Sequence, residues 1–459
     1  MQPVTLGVIA DWCGAELEER HRSVRIENVN TDSRTIVPGE LFVPLIGETF
    51  DGHTFLEMAA DRGAAAVLSA RRELLWQKPI PILYVEDTLA AYHAIAAGYR
   101  KLLNAKVVGI TGSVGKTTTK EMTAAILSER YRTARTEGNH NNLVGLPQTI
   151  LKTPGDCEAL VLEMGMNHFG EISRMTAAAR PDVAIITNIG MMHIEFLGSR
   201  EGILKAKMEI LEGLAPDGVA IFDGDEPLLR SSRSTVRQRV VLFGIDHEDC
   251  DVRGKDIRVT NGRTDFVCVA HGEEFPVRLP VEGEHNVRNA LAAIAAALEL
   301  GMTPENVQEA LLHFENVGMR QHIYEAKGCQ IIEDCYNAGP QSTEAAVKLL
   351  GDRQCEGRRI AVLGSMLELG DRASAEHYRI GRLCASRVDL LLTYGDNAKE
   401  YVTGALTGGM LQRDTLHFDT VEATANALKI RARAGDTILF KGSRGMKMEQ
   451  IIQLFLSDD

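Results

Sequence analysis

Residues 106–122, KVVGITGSVGKTTTKEM, decide the fold of the central part of the chain. The pattern predicts an apolar strand that runs into a glycine-rich turn and then into a helix. Phosphate groups are bound by close backbone N–H groups, a helix N-terminus, a lysine and a hydroxyl for Mg²⁺, and this segment contains all four. The full G-x-x-x-x-G-K-[ST] spacing is not met, because position 110 is Ile. The segment therefore predicts a shortened phosphate loop for ATP or GTP, formed by Gly112, Ser113, Gly115, Lys116, Thr117 and Thr118.

The sequence that follows this loop alternates between strand and helix patterns. The runs EALVLEMG, PDVAIITNIG and GVAIFDG are separated by helical patterns, which predicts a parallel sheet with helices on both faces. Between residues 240 and 280 the segments are short, and the pair Asn261-Gly262 is a strong hairpin signal. We therefore expect a central P-loop-type domain over residues 85–317, with an antiparallel extension of its sheet.

The two ends of the chain predict two further α/β units. Residues 1–84 mix β-branched runs with Ala-rich helical patterns around Gly and Pro turns, which predicts a small N-terminal α/β module. Residues 318–459 again alternate strands with helices, as in a doubly wound Rossmann-like domain. The predicted fold class is α/β with three domains.

Composition limits the functions that the chain can have. It has 459 residues, and 50 basic against 63 acidic residues give a net charge of -13, which disfavours nucleic acid and anionic membranes as partners. Eight scattered cysteines without a C-x-x-C pair indicate a reducing compartment, so we expect a cytoplasmic protein. The N-terminus lacks the basic region of a signal peptide, and the longest apolar run, 290–298, is much shorter than the roughly 20 residues of a membrane span.

Five further residues are candidates for chemistry. Glu163 ends an apolar strand, at the edge where parallel sheets bind ligands, and is either a Mg²⁺ ligand or a solvated strand end. His193 follows the next strand and is either a second metal ligand or a structural histidine. Lys207 lies in a charged helix and would ordinarily be a solvated lysine. Asn286 and Asn289 share one helical face and could contact a nucleotide, although Asn286 could equally cap the helix.

Eight segments, in order and across nearly the whole chain, resemble the ATP-dependent Mur ligases of peptidoglycan synthesis. They are TGSVGKTTTKE, EGNHNNLVGLP, VLEMGMNHFGEI, IITNIGMMHIEFLGSREGILKAKMEIL, GEHNVRNALAA, MRQHI, IIEDCYNAGPQS and VLGSMLELGD. Within the family, the N-terminal TDSR and PGELFVPLIGETFDGHTF segments, with DCYNAGPQS and MLELGD, resemble the members that add D-alanyl-D-alanine to UDP-N-acetylmuramoyl-tripeptide. The D-N-P-R signature of the members that add the third amino acid is absent.

The resemblance implies an amide ligase that uses ATP, passes through an acyl phosphate and supplies cell-wall synthesis, and with it cell shape and division. Its implied catalytic residues are Lys116 on the β- and γ-phosphates, Glu163 and His193 at metal, and Lys207 as a carbamylated lysine that positions a second Mg²⁺. Thr117 would bind magnesium as well. This implication replaces the solvated interpretation of Lys207. The implied partners are small molecules only, and the expected state is a monomer.

The resemblance also implies two groups of binding residues. At the nucleotide it places Asn286, Asn289, Arg320, Asp334 and Asn337, the last three from the C-terminal domain, which would also bind the incoming dipeptide. At the UDP-linked substrate it places Thr31, Asp32, Ser33, Arg34, Phe50, Asp51, His53 and Asn142.

The chain departs from the usual family pattern at four positions, Val114, His140, Gly339 and Ser365. Two alternatives remain open from the sequence. One is a folylpolyglutamate synthetase, which shares the central domain but is expected to lack the TDSR module. The other is a nucleotide-dependent switch or motor, although the N-K-x-D motif of switch GTPases is absent.

Overall fold

The computed structural model describes residues 1–73, 76–260, 262–316 and 318–457. These residues form four β-sheets, of two, four, nine and six strands. In this part of the chain, no helix combines the length and the hydropathy needed to cross a membrane. All eight cysteines are free thiols.

The N-terminal part contains an antiparallel strand pair and a parallel four-stranded sheet with the order β3-β4-β5-β6. The strands are β1 (Val4–Thr5), β2 (Arg25–Ile26), β3 (Asn28–Asn30), β4 (Glu40–Phe42), β5 (Ala66–Ser69) and β6 (Ile82–Tyr84). The helices are α1 (Leu6–Cys13) and α2 (Leu56–Asp61), and α3 (Thr88–Arg100) follows beyond the predicted boundary at residue 84. The predicted small α/β module is confirmed.

The central part is built on a nine-stranded sheet with the order β8-β9-β7-β10-β11-β12-β13-β14-β15. The strands are β7 (Lys106–Thr111), β8 (Thr133–Arg135), β9 (Ala159–Glu163), β10 (Val183–Ile186), β11 (Val219–Asp223), β12 (Arg239–Gly244), β13 (Val252–Thr260), β14 (Arg263–Ala270) and β15 (Glu273–Leu279). The helices are α4 (Lys116–Ser128), α5 (Gly145–Lys152), α6 (Glu171–Ala179), α7 (Ile194–Leu197), α8 (Arg200–Met208), α9 (Pro227–Ser232), α10 (Glu284–Glu299) and α11 (Pro304–Leu312).

The pairing within this sheet matches the predicted pattern. The seven neighbouring strands from β8 through β9, β7, β10, β11 and β12 to β13 pair in parallel. Strands β14 and β15 continue the sheet in antiparallel pairing, which confirms the predicted extension. Thr260 pairs with Arg263 across the predicted hairpin, whose turn residue Asn261 lies outside the described residues.

The central strands are apolar on both faces because helices cover both. Alternate residues of β7 enter opposite cores: Val107 packs with α3, α5 and α6, whereas Val108 and Ile110 pack with α4, α10 and α11. The first of these cores also contains Leu6 and Ile9 of α1. The N-terminal and central parts therefore share buried apolar surface.

The C-terminal part is a second α/β unit, with the strand order β16-β17-β21-β18-β19-β20, parallel except for β16. The strands are β16 (His322–Ala326), β17 (Cys329–Glu333), β18 (Arg359–Gly364), β19 (Leu390–Tyr394), β20 (Thr415–Phe418) and β21 (Thr437–Lys441). The helices are α12 (Pro340–Asp352), α13 (Ala373–Cys384), α14 (Lys399–Thr407), α15 (Val421–Arg431) and α16 (Met448–Leu456). Separate cores lie on its two faces, as expected for a doubly wound domain. Val317, the last residue of the predicted central domain, lies outside the described residues.

Candidate active site in the cleft between the central and C-terminal parts

A cavity of about 920 Å³ lies between the central sheet and the C-terminal domain. Loops that follow the carboxyl ends of β7, β9 and β10 line one side of it, and residues 334–346 line the other. Open parallel sheets bind ligands at this edge. The cleft is therefore the candidate site.

The phosphate loop has the backbone geometry that a bound phosphate needs. Gly112 and Gly115 adopt φ values of 149° and 83°, which disfavour any other residue. A Cβ at Gly112 would lie 1.8 Å from Thr187 Oγ1, and one at Gly115 would lie 2.2 Å from Asn289 Oδ1. Since α4 begins at Lys116, the loop leads into a helix N-terminus, whose N–H groups and dipole favour an anion. These features fit the phosphates of a nucleotide.

Asn188, which the sequence analysis did not identify, holds this loop in place. Its side chain accepts a hydrogen bond from Val114 N and donates one to Val114 O, each at 3.0 Å. Thr187 Oγ1 also donates to Val114 O, at 2.6 Å. Because Val114 makes these contacts through its backbone, a valine is accommodated where the family usually has a polar residue. The only sequence signal for Asn188 is its position two residues after the buried strand β10.

Lys116 lies over the loop and donates from Nζ to Gly112 O at 2.8 Å. Burial lowers the pKa of its amine, and the nearby Glu163 carboxylate partly opposes this effect. The lysine is thus placed where a transferred phosphoryl group would sit against the loop.

Thr117, Glu163 and Asn141 form a hydrogen-bonded group beside the loop. Thr117 Oγ1 donates to Glu163 Oε2 and Asn141 Nδ2 donates to Glu163 Oε1, both at 2.8 Å. Glu163 is 2% exposed, which contradicts a solvated strand end. Asn141 was not predicted, although it precedes the predicted Asn142, whose Oδ1 instead accepts from the backbone at the start of α5. Hydroxyl and carboxylate oxygens suit a hard cation such as Mg²⁺.

Arg320 brings the C-terminal domain into contact with this group. Its Nη2 donates to Thr117 Oγ1 at 2.9 Å, and its guanidinium lies 4.0 Å from the ring centre of Tyr336. The stacking on Tyr336 fixes the direction of the guanidinium. A cation from the C-terminal domain therefore reaches the phosphate loop.

Lys207 is buried, and its interpretation as a solvated surface residue is wrong. The side chain lies in α8 and is 2% exposed. Burial and the neighbouring charge of Lys116 hold the pKa of its amine well below the usual value. A neutral amine is the form that reacts with CO₂, so this environment suits a carbamate.

His193 lies on the cleft but contacts the C-terminal domain. Its Nδ1 is 2.6 Å from Glu368 Oε2, and both residues have φ near 62°. The histidine lowers the pKa of the Glu368 carboxyl. No group of three or more His, Cys, Asp and Glu side chains with metal-binding geometry occurs among the described residues. The predicted metal role of His193 stays a prediction.

The predicted nucleotide residues line the same cleft. Asn286 Nδ2 donates to Glu282 O at 2.8 Å and to Gln321 Oε1 at 2.9 Å, and the helix cap is Gly283, so Asn286 does not cap α10. On the C-terminal side, Lys441 Nζ donates to Asp334 Oδ2 at 2.7 Å and to Asn337 O at 3.2 Å. These contacts place polar groups of both domains around one cavity.

The predicted UDP-substrate residues of the N-terminal part lie outside the described lining of this cleft. Arg34 donates to Asp32 at 2.9 and 2.8 Å and lowers the pKa of that carboxyl to about 2. His53 is buried between Asp51 Oδ1 and the Ala70 amide, a structural arrangement. Ser33 is also buried, Phe50 is 56% exposed, and Thr31 is half-buried.

A charged pair that was not predicted lies at the carboxyl end of β11. Asp223 is buried, which raises the pKa of its carboxyl to about 7, although Arg288, 3.9 Å away, opposes the shift. Both side chains line the cleft.

Comparisons with known proteins agree with this architecture. Residues 25–111 match the description "Mur ligase family, catalytic domain", residues 110–297 match "Mur ligase middle domain", and residues 319–444 match "Mur ligase, glutamate ligase domain". A Bacillus subtilis UDP-N-acetylmuramoyl-tripeptide–D-alanyl-D-alanine ligase is 40% identical over 450 residues, which are 96% of this chain and 95% of that protein.

Two solved structures are similar over almost their full lengths. MurF from Acinetobacter baumannii has a TM-score of 0.92 at 31% identity, with 99% of both chains covered. MurF ligase from Thermotoga maritima in complex with ADP has a TM-score of 0.83 at 30% identity, with 93% of this chain and 96% of that chain covered. These matches, together with the phosphate loop and the three α/β units, show that the chain belongs to the Mur ligase family.

Proposed function

We propose that this protein is an ATP-dependent ligase that joins D-alanyl-D-alanine to UDP-N-acetylmuramoyl-tripeptide and so forms the pentapeptide precursor of peptidoglycan. The observation that carries the proposal is the cleft in which Arg320 of the C-terminal domain reaches Thr117 of the phosphate loop. A full-length relative at 40% identity carries this activity in its name, and a structural relative binds ADP. The same full-length match disfavours a folylpolyglutamate synthetase and a nucleotide-dependent switch.

In the first step, the terminal carboxylate of the tripeptide attacks the γ-phosphate of ATP. An acyl phosphate forms and ADP leaves. The chain opposes the developing negative charge with Lys116, the N-terminus of α4 and Arg320. All three are held in place before the reaction, so little reorganisation is needed.

In the second step, the amine of D-alanyl-D-alanine attacks the acyl phosphate, an amide bond forms and phosphate leaves. An acyl phosphate is open to hydrolysis, so the reaction needs a cleft that excludes water. Contacts between the two domains, such as Gln321 with Asn286 and His193 with Glu368, hold the C-terminal domain against the central sheet at the cleft. Domain docking is therefore part of the mechanism.

We also propose that Mg²⁺ binds at two positions in the cleft. Thr117, Glu163 and His193 would provide metal ligands, and a carbamylated Lys207 would position the second ion. The hydroxyl of Thr117 and the carboxylate of Glu163 fit this cation, and the buried amine of Lys207, whose pKa is held well below its usual value, suits a carbamate. Bound Mg²⁺ would neutralise charge on the transferred phosphoryl group.

Residues 1–84 would bind the uridine end of the UDP-linked substrate. Residues 85–317 would bind ATP, and residues 318–459 would bind the dipeptide. Support for the first assignment is the exposed guanidinium of Arg34, which two hydrogen bonds to the Asp32 carboxylate hold in place. We expect Arg34→Ala to raise KM for the UDP-linked substrate while ADP affinity, measured by calorimetry, stays unchanged. An unchanged KM would place the uridine elsewhere. A point variant is preferable to truncation because α1 shares a core with the central sheet.

The decisive experiment is product formation. The protein, ATP and Mg²⁺ are incubated with UDP-muramoyl tripeptide, with and without D-alanyl-D-alanine, and mass spectrometry detects the pentapeptide. Tripeptides that end in diaminopimelate or lysine are compared, since the chain leaves this choice open. ADP formation without amide formation would contradict the proposal.

We further propose that the protein is a cytoplasmic monomer. Light scattering should then give the mass of one chain.

A further inference from the structure

Lys120 is a buried cation directly behind the phosphate loop. It lies one turn after Lys116 in α4 and is 1% exposed. A buried ammonium is costly unless it is paired and hydrogen-bonded. Lys120 Nζ lies 2.7 Å from Glu121 Oε1 and donates to Thr136 O at 2.6 Å. Glu121 also pairs with Arg135, at 2.7 Å, so Lys120 shares this carboxylate with a second cation. The hydrogen bond to the Thr136 carbonyl is the contact that sets Lys120 apart from a lysine that only forms an ion pair.

Thr136 connects Lys120 to the candidate catalytic carboxylate. Its side chain is buried at the end of β8, and its Oγ1 accepts a hydrogen bond from Glu163 N at 3.0 Å. Its own N–H donates to Val161 O, also at 3.0 Å. A continuous set of hydrogen bonds therefore runs from Lys120 through Thr136 to the backbone of Glu163.

The same set supports the other partner of Glu163. Thr136 begins the segment 136–144, which carries Asn141, and Asn141 donates to Glu163 Oε1 at 2.8 Å. Thr117, from the first turn of α4, donates to Glu163 Oε2. Both the carboxylate and the segment that orients it thus depend on where Thr136 lies.

We propose that Lys120 is a positioning residue for phosphoryl transfer: through Thr136 it holds the end of β9 and the segment 136–144, so that Glu163 meets Thr117. The proposal rests on the proposed function, because it treats Glu163 as part of the reacting site. The alternative is a lysine that only stabilises the fold.

The first test is Lys120→Met, which removes the donor and keeps the length of the side chain. Displacing Glu163 by about 1 Å should lower kcat for ADP formation by roughly 10²-fold. KM for ATP should stay within about threefold of wild type, because Lys116 and the glycine loop remain in place. A residue that is merely structural would lower the melting temperature and leave kcat per folded enzyme unchanged.

A matched control is Arg100→Met. Arg100 is a second, partly buried cation, with a side chain that is 12% exposed, and it donates to the backbone carbonyls of Ala179 and Ala105, but it lies at the amino ends of the central strands. The Arg100→Met variant should therefore have a lower melting temperature and an unchanged kcat. If Lys120→Met and Arg100→Met have kcat values within about threefold of each other, the positioning role is refuted.

Substitutions at Thr136 test the pathway even if Lys120→Met fails to fold. Thr136→Val removes the oxygen that accepts from Glu163 N, whereas Thr136→Ser keeps it. The valine variant should lose kcat and the serine variant should recover most of it. The double variant Lys120→Met/Thr136→Val should lose less than the product of the single losses, since both act through one contact. Equal kcat values in the two Thr136 variants would overturn the proposal. A loss of kcat in the double variant that equals the product of the two single losses would overturn it as well.

Hydrogen exchange separates this proposal from the proposed function. In the substrate-free protein, the Glu163 amide should exchange faster in Lys120→Met than in wild type or Arg100→Met, because its acceptor is no longer held. Unchanged exchange at Glu163 would refute the linkage. A wild-type protein that forms no pentapeptide would refute the proposed function and leave the exchange result to decide the role of Lys120.

Discussion

Replacing Gly115 with alanine should disable nucleotide binding through one steric collision. The added Cβ would lie 2.2 Å from Asn289 Oδ1, whereas an unstrained contact needs about 3.5 Å. Asn289 is 9% exposed and lies in the long buried helix α10, so it has little room to move. The phosphate loop must therefore shift by about 1 Å.

The chain contains a matched control for this substitution. Gly170 has φ 83° and ψ −9°, almost the values of Gly115, 83° and −13°, and both residues precede the first turn of a helix. A Cβ at Gly170 would meet nothing within 4 Å. The backbone cost, about 1 kcal/mol, should be common to both variants. Any loss of ADP affinity in Gly115→Ala beyond that in Gly170→Ala is then due to the collision with Asn289.

We expect Gly170→Ala to lower stability slightly and to bind ADP as wild type does. Gly115→Ala should lose roughly 10²-fold in ADP affinity, as expected for a displacement of about 1 Å, and pentapeptide formation should fall with it. Calorimetry with ADP and Mg²⁺, thermal unfolding and pentapeptide formation measure these quantities. An ADP affinity of Gly115→Ala within about threefold of that of Gly170→Ala would refute the assigned geometry of the loop.

Three further predictions follow from the site. Lys116→Ala should fold normally and lose on the order of 10²-fold or more in kcat, measured by ADP release; a rate within about threefold of wild type would exclude the lysine from the mechanism. Lys207→Ala should be nearly inactive and partly rescued by short carboxylic acids, in proportion to their concentration, since the added anion replaces the carbamate; a normal kcat at saturating Mg²⁺ would contradict carbamylation. Burial raises the pKa of Asp223 from 3.8 to about 7. Between these two pH values the folded state binds more protons than the unfolded state, so the contribution of Asp223 to the free energy of unfolding should fall as the pH rises from 3.8 to about 7. Denaturant unfolding of wild type and Asp223→Asn should therefore give a stability difference that declines from about pH 4 to pH 7 and is constant above it; a difference that does not change with pH would show that Asp223 titrates normally.

The sequence predicted those site residues whose role depends on neighbouring residues in the chain. The phosphate loop was recognisable because a strand, two glycines, a lysine and a helix follow one another without interruption. Glu163 was recognisable because it ends an apolar strand. The contacts of Asn188 and Lys120 were not predicted, because a single asparagine after a strand or a lysine in a helix has many possible roles.

Lys207 shows most clearly where local reasoning fails. Its helix, REGILKAKM, carries charges on much of its surface, so the pattern alone indicates a solvated lysine. The helix nevertheless packs with Ile203, Ala206 and Lys207 turned inward. The desolvation that shifts the pKa of Lys207 comes from everything packed around the amine, which no local pattern contains.

By itself, the sequence determined the order of strands and helices, the α/β class and the phosphate loop, since hydrophobic period and turn residues act over a few neighbouring positions. Only the tertiary structure decided which polar groups meet in the cleft. Arg320 and Thr117 are 203 residues apart in the chain, and they touch because the C-terminal domain docks at the carboxyl ends of the central strands. Such contacts depend on strand order and on domain docking, and both are set by the packing of cores that draw residues from the whole length of a domain.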